Sequence, residues 1–212
     1  MTFKDDNIIS ITKENTRKKL SDQEKIEAIS EHFSSIMKIL ELDLEDDSLK
    51  ETPKRVAKMY VEELFQGMNP ENAPEIKKFD NSYNYNGIIL EKNITLFSLC
   101  EHHFVPIIGK AHIGYFANNK VVGLSKLNRI VNYFSKRPQV QEKLTVQIVE
   151  FLKNELETQN VACIIEAQHL CVSMRGIKDV NSWTTTAEYS GKFLEESSKN
   201  ELFNIIISDV DN

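Results

Sequence analysis

Residues 87–116 read GIILEKNITLFSLCEHHFVPIIGKAHIGYF, and this stretch determines the expected fold. Residues 88–99 contain two short apolar runs, and residues 104–116 contain a third. Towards the end of the third run, apolar residues alternate with other residues. Short bounded runs with such alternation are typical of β-strands. We therefore expect two antiparallel strands joined by a turn that carries residues 100–103.

Two helices are predicted before this hairpin. A capping box at Ser21 opens the first, and Thr52, a cap residue followed by Pro53, opens a second that stops near Gly67. Residues 68–86 contain Pro and several Asn and are expected to form a loop.

After the hairpin, helices are predicted from Ser125, which is a natural N-cap, and again after Pro138. Residues 161–174 predict a long strand, and residues 204–207 a last one. Two helices, a hairpin, two helices and further strands indicate an α+β fold with an antiparallel sheet.

The 212 residues fit one domain with an N-terminal extension. We expect a mobile polar arm over residues 1–20, an N-terminal helical region over residues 21–86 and a catalytic domain over residues 87–212.

Composition excludes several classes of protein. The apolar runs fall far short of the ~20 residues that span a bilayer, and no secretory signal is visible at the N-terminus. Three Cys, an odd number, do not suggest a disulfide framework, so a reducing, cytoplasmic location is expected. The net charge of −6 argues against general nucleic-acid binding, so any polyanionic ligand must meet a local basic cluster.

Cys and His cluster at the spacing of metal ligands. Cys100 and His103 are three residues apart in the predicted turn, and His169 and Cys171 share one face of the predicted strand. Cys100, His103 and Cys171 would make a zinc site with a fourth position open to water. A zinc ion can lower the pKa of a bound water molecule to about 7. His102 and His169 would remain as two imidazoles able to transfer protons.

Other interpretations of these residues stay open. A C-x-x-H pair also arises by chance, and a closed structural site could take His102 or His169 as its fourth ligand. Cys163 is expected to be a core residue and His112 to be structural, while His32 has no evident partner.

The stretch GLSKLNR, residues 123–129, predicts an anion site. Ser125 at a helix start, with Lys126 and Arg129 on one side of its first turns, favours a bound anion, because positive side chains otherwise oppose the helix dipole. The alternative is an ordinary solvated helix surface. Further candidate phosphate ligands are Arg175, Arg55 and Lys58.

Glu142 lies near the start of the following helix. Its carboxylate is either a favourable first-turn charge or an acceptor for the ring N–H and amine of a guanine. The residues alone leave both interpretations open.

Five ordered blocks resemble GTP cyclohydrolase I, and the resemblance spans roughly residues 21–207. The blocks are TPKRVA at 52–57, SLCEHHFVP at 98–106, GLSKLNR at 123–129, QVQEKLT at 139–145 and HLCVSMRG at 169–176. The resemblance implies a zinc enzyme, one ion per subunit, that converts GTP and water to 7,8-dihydroneopterin triphosphate and formate in the first step of pterin and tetrahydrofolate synthesis. It also implies a tunnelling fold with helices on one face of each sheet, and sheets that join into barrels in a homodecamer with active sites at subunit interfaces.

By position, the resemblance assigns Cys100, His103 and Cys171 as zinc ligands and His102 and His169 as catalytic residues. It assigns substrate contacts to Glu142 for guanine with Gln141 beside it, to Ser125, Lys126, Arg129 and Arg175 for the triphosphate, and to Arg55 and Lys58 from a neighbouring subunit.

Two rival hypotheses remain. One is another tunnelling-fold enzyme acting on a pterin or deazapurine, although the nitrile-reducing relatives use a Cys nucleophile without zinc. The other is a zinc-stabilised assembly without catalysis. Fe²⁺ or Mn²⁺ could also occupy the metal site.

Overall fold

A computed structural model describes residues 20–208, so the predicted polar arm lies outside the described residues except for Leu20. The chain forms two compact units, which meet in sequence between Leu64 and Phe65. Within the described part of the chain, no helix combines the length and apolar character that crossing a membrane requires.

The first unit contains helices α1 (Asp22–Ile39) and α2 (Thr52–Lys58). The predicted capping box is confirmed, because Ser21 Oγ accepts from the backbone N–H of Glu24 and the Glu24 carboxylate accepts from the N–H of Ser21. It satisfies two backbone donors that would otherwise lack partners.

Helix α2 begins one residue earlier than predicted. Glu51 is its N-cap, so Thr52 is already helical, and the helix continues as a π-helical segment over Met59–Leu64. Pro53 and Ala57 form its buried side.

The predicted hairpin is confirmed in the second unit by β2 (Ile88–Cys100) and β3 (Pro106–Phe116), which pair antiparallel. The remaining strands of this sheet are β5 (Pro138–Gln139), β6 (Val161–His169) and β7 (Thr184–Tyr189). The sheet has the order β5-β2-β3-β6-β7, and only β5 runs parallel to its neighbour.

A separate two-stranded sheet pairs β1 (Lys78–Asp80) with β4 (Lys120–Val122). Residues 68–86 were expected to form a loop, but they include β1. The same segment also includes the 3₁₀ turn Pro70–Asn72.

Helices α3 (Leu124–Ser135) and α4 (Gln141–Leu156) cover one face of the large sheet. Their apolar sides close the main core against inward residues of β2, β3 and β6, including Leu96, Ile113 and Ile165. Tight packing of these fully buried side chains holds the edge of the sheet where the candidate ligands lie.

The predicted last strand, residues 204–207, is wrong. These residues end helix α6 (Glu196–Ile207), whose Leu202 packs with Phe193 on the opposite face of the sheet. Helices therefore lie on both faces, not on one. A short apolar run does not by itself distinguish a strand from a helix.

The predicted strand over residues 161–174 is too long. It ends at His169, and the chain turns into the one-turn helix α5 (Leu170–Ser173). His169 pairs with Ile107, the second residue of β3, and Pro106 beyond it has no backbone N–H to continue the ladder.

Candidate active site

The structure brings Cys100, His103 and Cys171 together at one edge of the large sheet. Their ligand atoms all lie within 4.8 Å of one another. Cys100 ends β2, His103 lies in the turn to β3, and Cys171 lies in α5, directly after β6. The neighbours β2, β3 and β6 therefore deliver all three ligands.

The turn between β2 and β3 is closely tied. Cys100 donates its N–H to Val105 O at 2.9 Å and accepts from the N–H of Phe104 at 2.8 Å. Phe104 has a φ of 52°, a left-handed conformation that is uncommon for a bulky residue. Strain of this kind persists only where surrounding contacts hold it, and here it sets the backbone next to His103.

A second tie joins this turn to helix α4. Glu101 donates its N–H to Gln139 O at 2.9 Å, and its carboxylate pairs with Lys143 Nζ at 2.7 Å. Both side chains of the ion pair are about one-third exposed, so the pair fixes geometry more than it adds stability.

The chemistry of the three donors fits a metal ion of the zinc type. Two sulfurs and one imidazole nitrogen are ligands that Zn²⁺ prefers, and three protein ligands leave a coordination position open. Burial and the adjacent Cys100 raise the pKa of the Cys171 thiol, with Arg175 opposing. A divalent cation at this group would favour the thiolate form.

His102 and Arg175 flank the three ligands. His102 is exposed, and its Nδ1 lies 3.7 Å from Cys100 Sγ. Arg175 Nη1 lies 3.0 Å from His103 Nε2. A guanidinium beside the candidate metal centre is a suitable anion ligand.

His169 approaches from the end of β6. Its Nε2 lies 2.8 Å from Gln141 Oε1 at the start of α4. Burial lowers the pKa of His169, and the negative charge of Glu142 acts in the opposite direction. Glu142 itself is exposed in the first turn of α4.

Ser125, Lys126 and Arg129 lie in the first half of α3. Gly123, not Ser125, is the N-cap, and no side chain caps the helix, so the predicted capping role of Ser125 is wrong. The last helical residue, Ser135, accepts from Ser98 Oγ at 2.7 Å and so adjoins the ligand end of β2. Ten residues of helix, about 15 Å, separate it from Ser125.

Arg129 borders a different part of the molecule. It lines a cavity of about 310 Å³ with residues 66 and 72–75 and with Asn132 and Tyr133. Arg55 and Lys58 are exposed on α2 in the first unit.

Sequence reasoning missed two sets of contacts near the site. One is the Lys143–Glu101 pair, and the other is a buried network in which Thr145 and Thr186 surround Gln141. Gln141 and Thr145 are polar residues at i and i+4 within a buried helix stripe, a signal that could have marked this network.

Known proteins are similar to this chain in structure or in sequence. The crystal structure of the archaeosine synthase QueF-Like in the apo form overlaps with a TM-score of 0.42 and 14% identity, over 50% of this chain and 94% of that chain, which is too weak to carry an argument. A protein of Flavobacterium johnsoniae named GTP cyclohydrolase 1 is 53% identical, covering 88% of this chain and 84% of its own length. A Haemophilus influenzae protein of the same name is 47% identical over 85% and 83%.

The model of the family GTP cyclohydrolase I matches residues 29–207. This match and the two relatives confirm the resemblance carried by the five sequence blocks. The chain belongs to the GTP cyclohydrolase I family.

Proposed function

We propose that this protein converts GTP and water to 7,8-dihydroneopterin triphosphate and formate, as the first step of pterin and tetrahydrofolate synthesis in the cytoplasm. The observation that carries the proposal is the convergence of Cys100, His103 and Cys171 within 4.8 Å in a chain of this family. The same convergence opposes the nitrile-reducing alternative, which needs a Cys nucleophile without zinc.

Cys100, His103 and Cys171 would hold one Zn²⁺ per subunit. When bound, the ion supplies a water molecule activated for attack at neutral pH. The thiolates select against Mg²⁺ and Ca²⁺, which prefer oxygen ligands.

Two histidines supply proton transfer in this proposal. His102, exposed beside Cys100, donates a proton to N7 of the purine as the ring opens. His169, at the end of β6, assists the proton transfers of ribose opening and pterin ring closure. Two imidazoles suit this chemistry because each ring can donate a proton from one nitrogen and accept one at the other.

Glu142 anchors the guanine, and basic residues hold the triphosphate. The exposed Glu142 carboxylate can accept from the ring N–H and the exocyclic amine together. In a chain of net charge −6, the local positive charge and N–H groups come from Ser125, Lys126, Arg129 and Arg175, with Arg55 and Lys58 contributed by a neighbouring subunit.

The active site is completed by a second copy of the chain. Within one chain the first turns of α3 lie about a helix length from the metal ligands, so a triphosphate held by both needs α3 of a neighbour. Strand β7 is an edge strand that can continue pairing between subunits. We extend this to a homodecamer of the tunnelling fold, with residues 87–212 as catalytic domain and residues 21–86 as helical region.

An assay of the purified, zinc-loaded protein tests this function. GTP should yield the absorbance of a pterin together with an equal amount of formate, whereas ATP should yield neither, because adenine lacks the ring N–H and the adjacent C2 amine that Glu142 would bind together. A chelator should stop turnover and added zinc should restore it. Absence of both products with GTP contradicts the proposal.

A further inference from the structure

Gln141 is held in a single orientation. It is 1% exposed, and its Nε2 lies 3.0 Å from Ile165 O, 3.0 Å from Thr184 O and 3.1 Å from Thr186 Oγ1. Two of these partners are backbone carbonyls, which only accept hydrogen bonds. The reversed amide would set its oxygen against both carbonyl oxygens, so the nitrogen must occupy this position.

Two threonines close a ring around this amide. Thr145 Oγ1 lies 2.8 Å from the backbone O of Gln141 and 2.7 Å from Thr186 Oγ1. Because the carbonyl only accepts, the Thr145 hydroxyl donates to it, and the Thr186 hydroxyl donates to Thr145. The oxygen of Thr186 then accepts from Gln141 Nε2. The donor and the acceptor of each hydrogen bond in the ring are therefore fixed.

This orientation determines which nitrogen of His169 carries hydrogen. Gln141 Oε1, an acceptor, lies 2.8 Å from His169 Nε2, so Nε2 must donate. In the neutral imidazole Nδ1 then holds the lone pair. We propose that Gln141 is a positioning residue that fixes His169 in its Nε2–H form and leaves Nδ1 to exchange protons with the substrate.

The proposal rests on the proposed function for the role of His169. It gives Gln141 and the neighbouring Glu142 different roles. The amide hydrogens of Gln141 are shared among protein oxygens, its Oε1 faces His169, and the side chain is closed to solvent. The neighbouring Glu142 is exposed. Gln141 therefore acts through His169 and does not contact the guanine.

Nitrogen-15 NMR of the histidine rings in zinc-loaded protein tests the tautomer directly. A His169→Asn variant identifies the His169 signals. We expect the neutral ring to carry hydrogen on Nε2, with that hydrogen slow to exchange with water because it is bonded to Oε1. A proton on Nδ1 of His169 in the unmodified protein overturns the proposal, whatever the variants do.

Gln141 variants test the cause. Gln141→Leu should lose the slowly exchanging Nε2–H signal, because leucine offers no acceptor to His169. Gln147→Leu is a matched control, because Gln147 lies on the same helix but bonds to Gln139. Retention of the signal in Gln141→Leu contradicts the assignment.

Kinetics distinguish positioning from substrate contact. Gln141→Leu should lower kcat at least about tenfold, as loss of an aligned proton-transfer group does, and leave KM for GTP within about twofold. A raised KM with unchanged kcat would show instead that Gln141 binds substrate. Absence of GTP turnover in the unmodified protein would refute the proposed function, while the NMR result on Gln141 would still stand or fall separately.

Discussion

Cys171 lies beside Cys100, and burial together with this neighbour raises the pKa of its thiol. Removing this sulfur leaves two donors, too few to hold Zn²⁺ firmly. Cys171→Ser should therefore lose stoichiometric zinc and turnover together, as measured by metal analysis and by formate release.

Cys163→Ala is the matched control for that change. Cys163 is fully buried on β6 and belongs to the main core, so its loss should lower stability slightly and leave bound zinc unchanged. Stoichiometric zinc in Cys171→Ser would contradict the ligand assignment.

His112 should make stability fall in mild acid. It is 3% exposed, its Nε2 has no partner among the described residues, and burial lowers its pKa, with Glu166 opposing and Lys110 and Lys92 adding to the shift. The unfolded chain binds the proton more readily, so stability is full above the unfolded pKa of about 6.5 and declines as the pH falls below it.

Denaturant unfolding at pH 7 and pH 5 measures this effect. The wild-type protein should lose more stability between the two values than His112→Gln, whose amide oxygen can still accept from Asn93 N–H. Equal losses in both proteins would exclude His112 as the cause.

At this scale, sequence spacing was sufficient to predict which Cys and His residues converge. The pair Cys100 and His103 could be predicted because a tight turn brings both to one point. Cys171 was predicted from a shared strand face with His169, yet it lies in α5 after the strand has ended. Cys171 joins Cys100 and His103 although the predicted strand geometry is wrong, since β6 carries the chain to the same edge of the sheet.

Among the elements, the contact of β3 with β6 should tolerate very little added volume. A Cβ on Gly109 would lie 2.0 Å from Glu166 O and 2.6 Å from Ala167, backbone that cannot move without breaking the ladder. Gly109→Ala should lower the free energy of unfolding by about 3 kcal/mol or more, measured by urea titration.

Gly123→Ala serves as its control. A Cβ there would meet Phe79 at 3.7 Å, an ordinary contact, and the backbone φ of −64° suits any residue. Its stability should stay within about 1 kcal/mol of wild type. Similar losses in both variants would show that Gly109 is not specially constrained.

The elements that sequence failed to predict share a physical cause. Strand β7 reads TTTAEY and is mostly exposed or half-buried, so it carries no apolar alternation to detect. Strand β1 has three exposed residues and exists through its pairing with β4. The hairpin β2–β3 was predictable because its inward residues face the main core.

For the whole molecule, we predict that two inactive variants restore each other. Cys171→Ser lacks the metal group, and Lys126→Ala with Arg129→Ala lacks the anion cluster of α3. If each site takes these parts from different chains, co-expression should form some intact sites, at most about a quarter in a random one-to-one assembly.

Turnover of the co-expressed mixture, measured against each variant alone, decides the matter. Activity no greater than the sum of the separate variants would mean that one chain supplies both parts. The sequence alone could not predict whether two chains share a site. The hydrogen bond between Ser98 and Ser135 places the end of α3 near the metal ligands, and only then does the helix length place Ser125 far from them.

The candidate ligands differ in how far apart they lie along the chain. Cys100 and His103 meet within one hairpin, a contact that forms early because its loop is short. Cys171 joins them only after ~70 further residues have folded and β6 has paired with β3. An ion held by all three residues would therefore bind strongly only to a chain in which β6 has paired with β3, and it would stabilise that pairing by mass action. Removal of such an ion should therefore weaken the pairing of β6 with β3 more than the hairpin of β2 and β3.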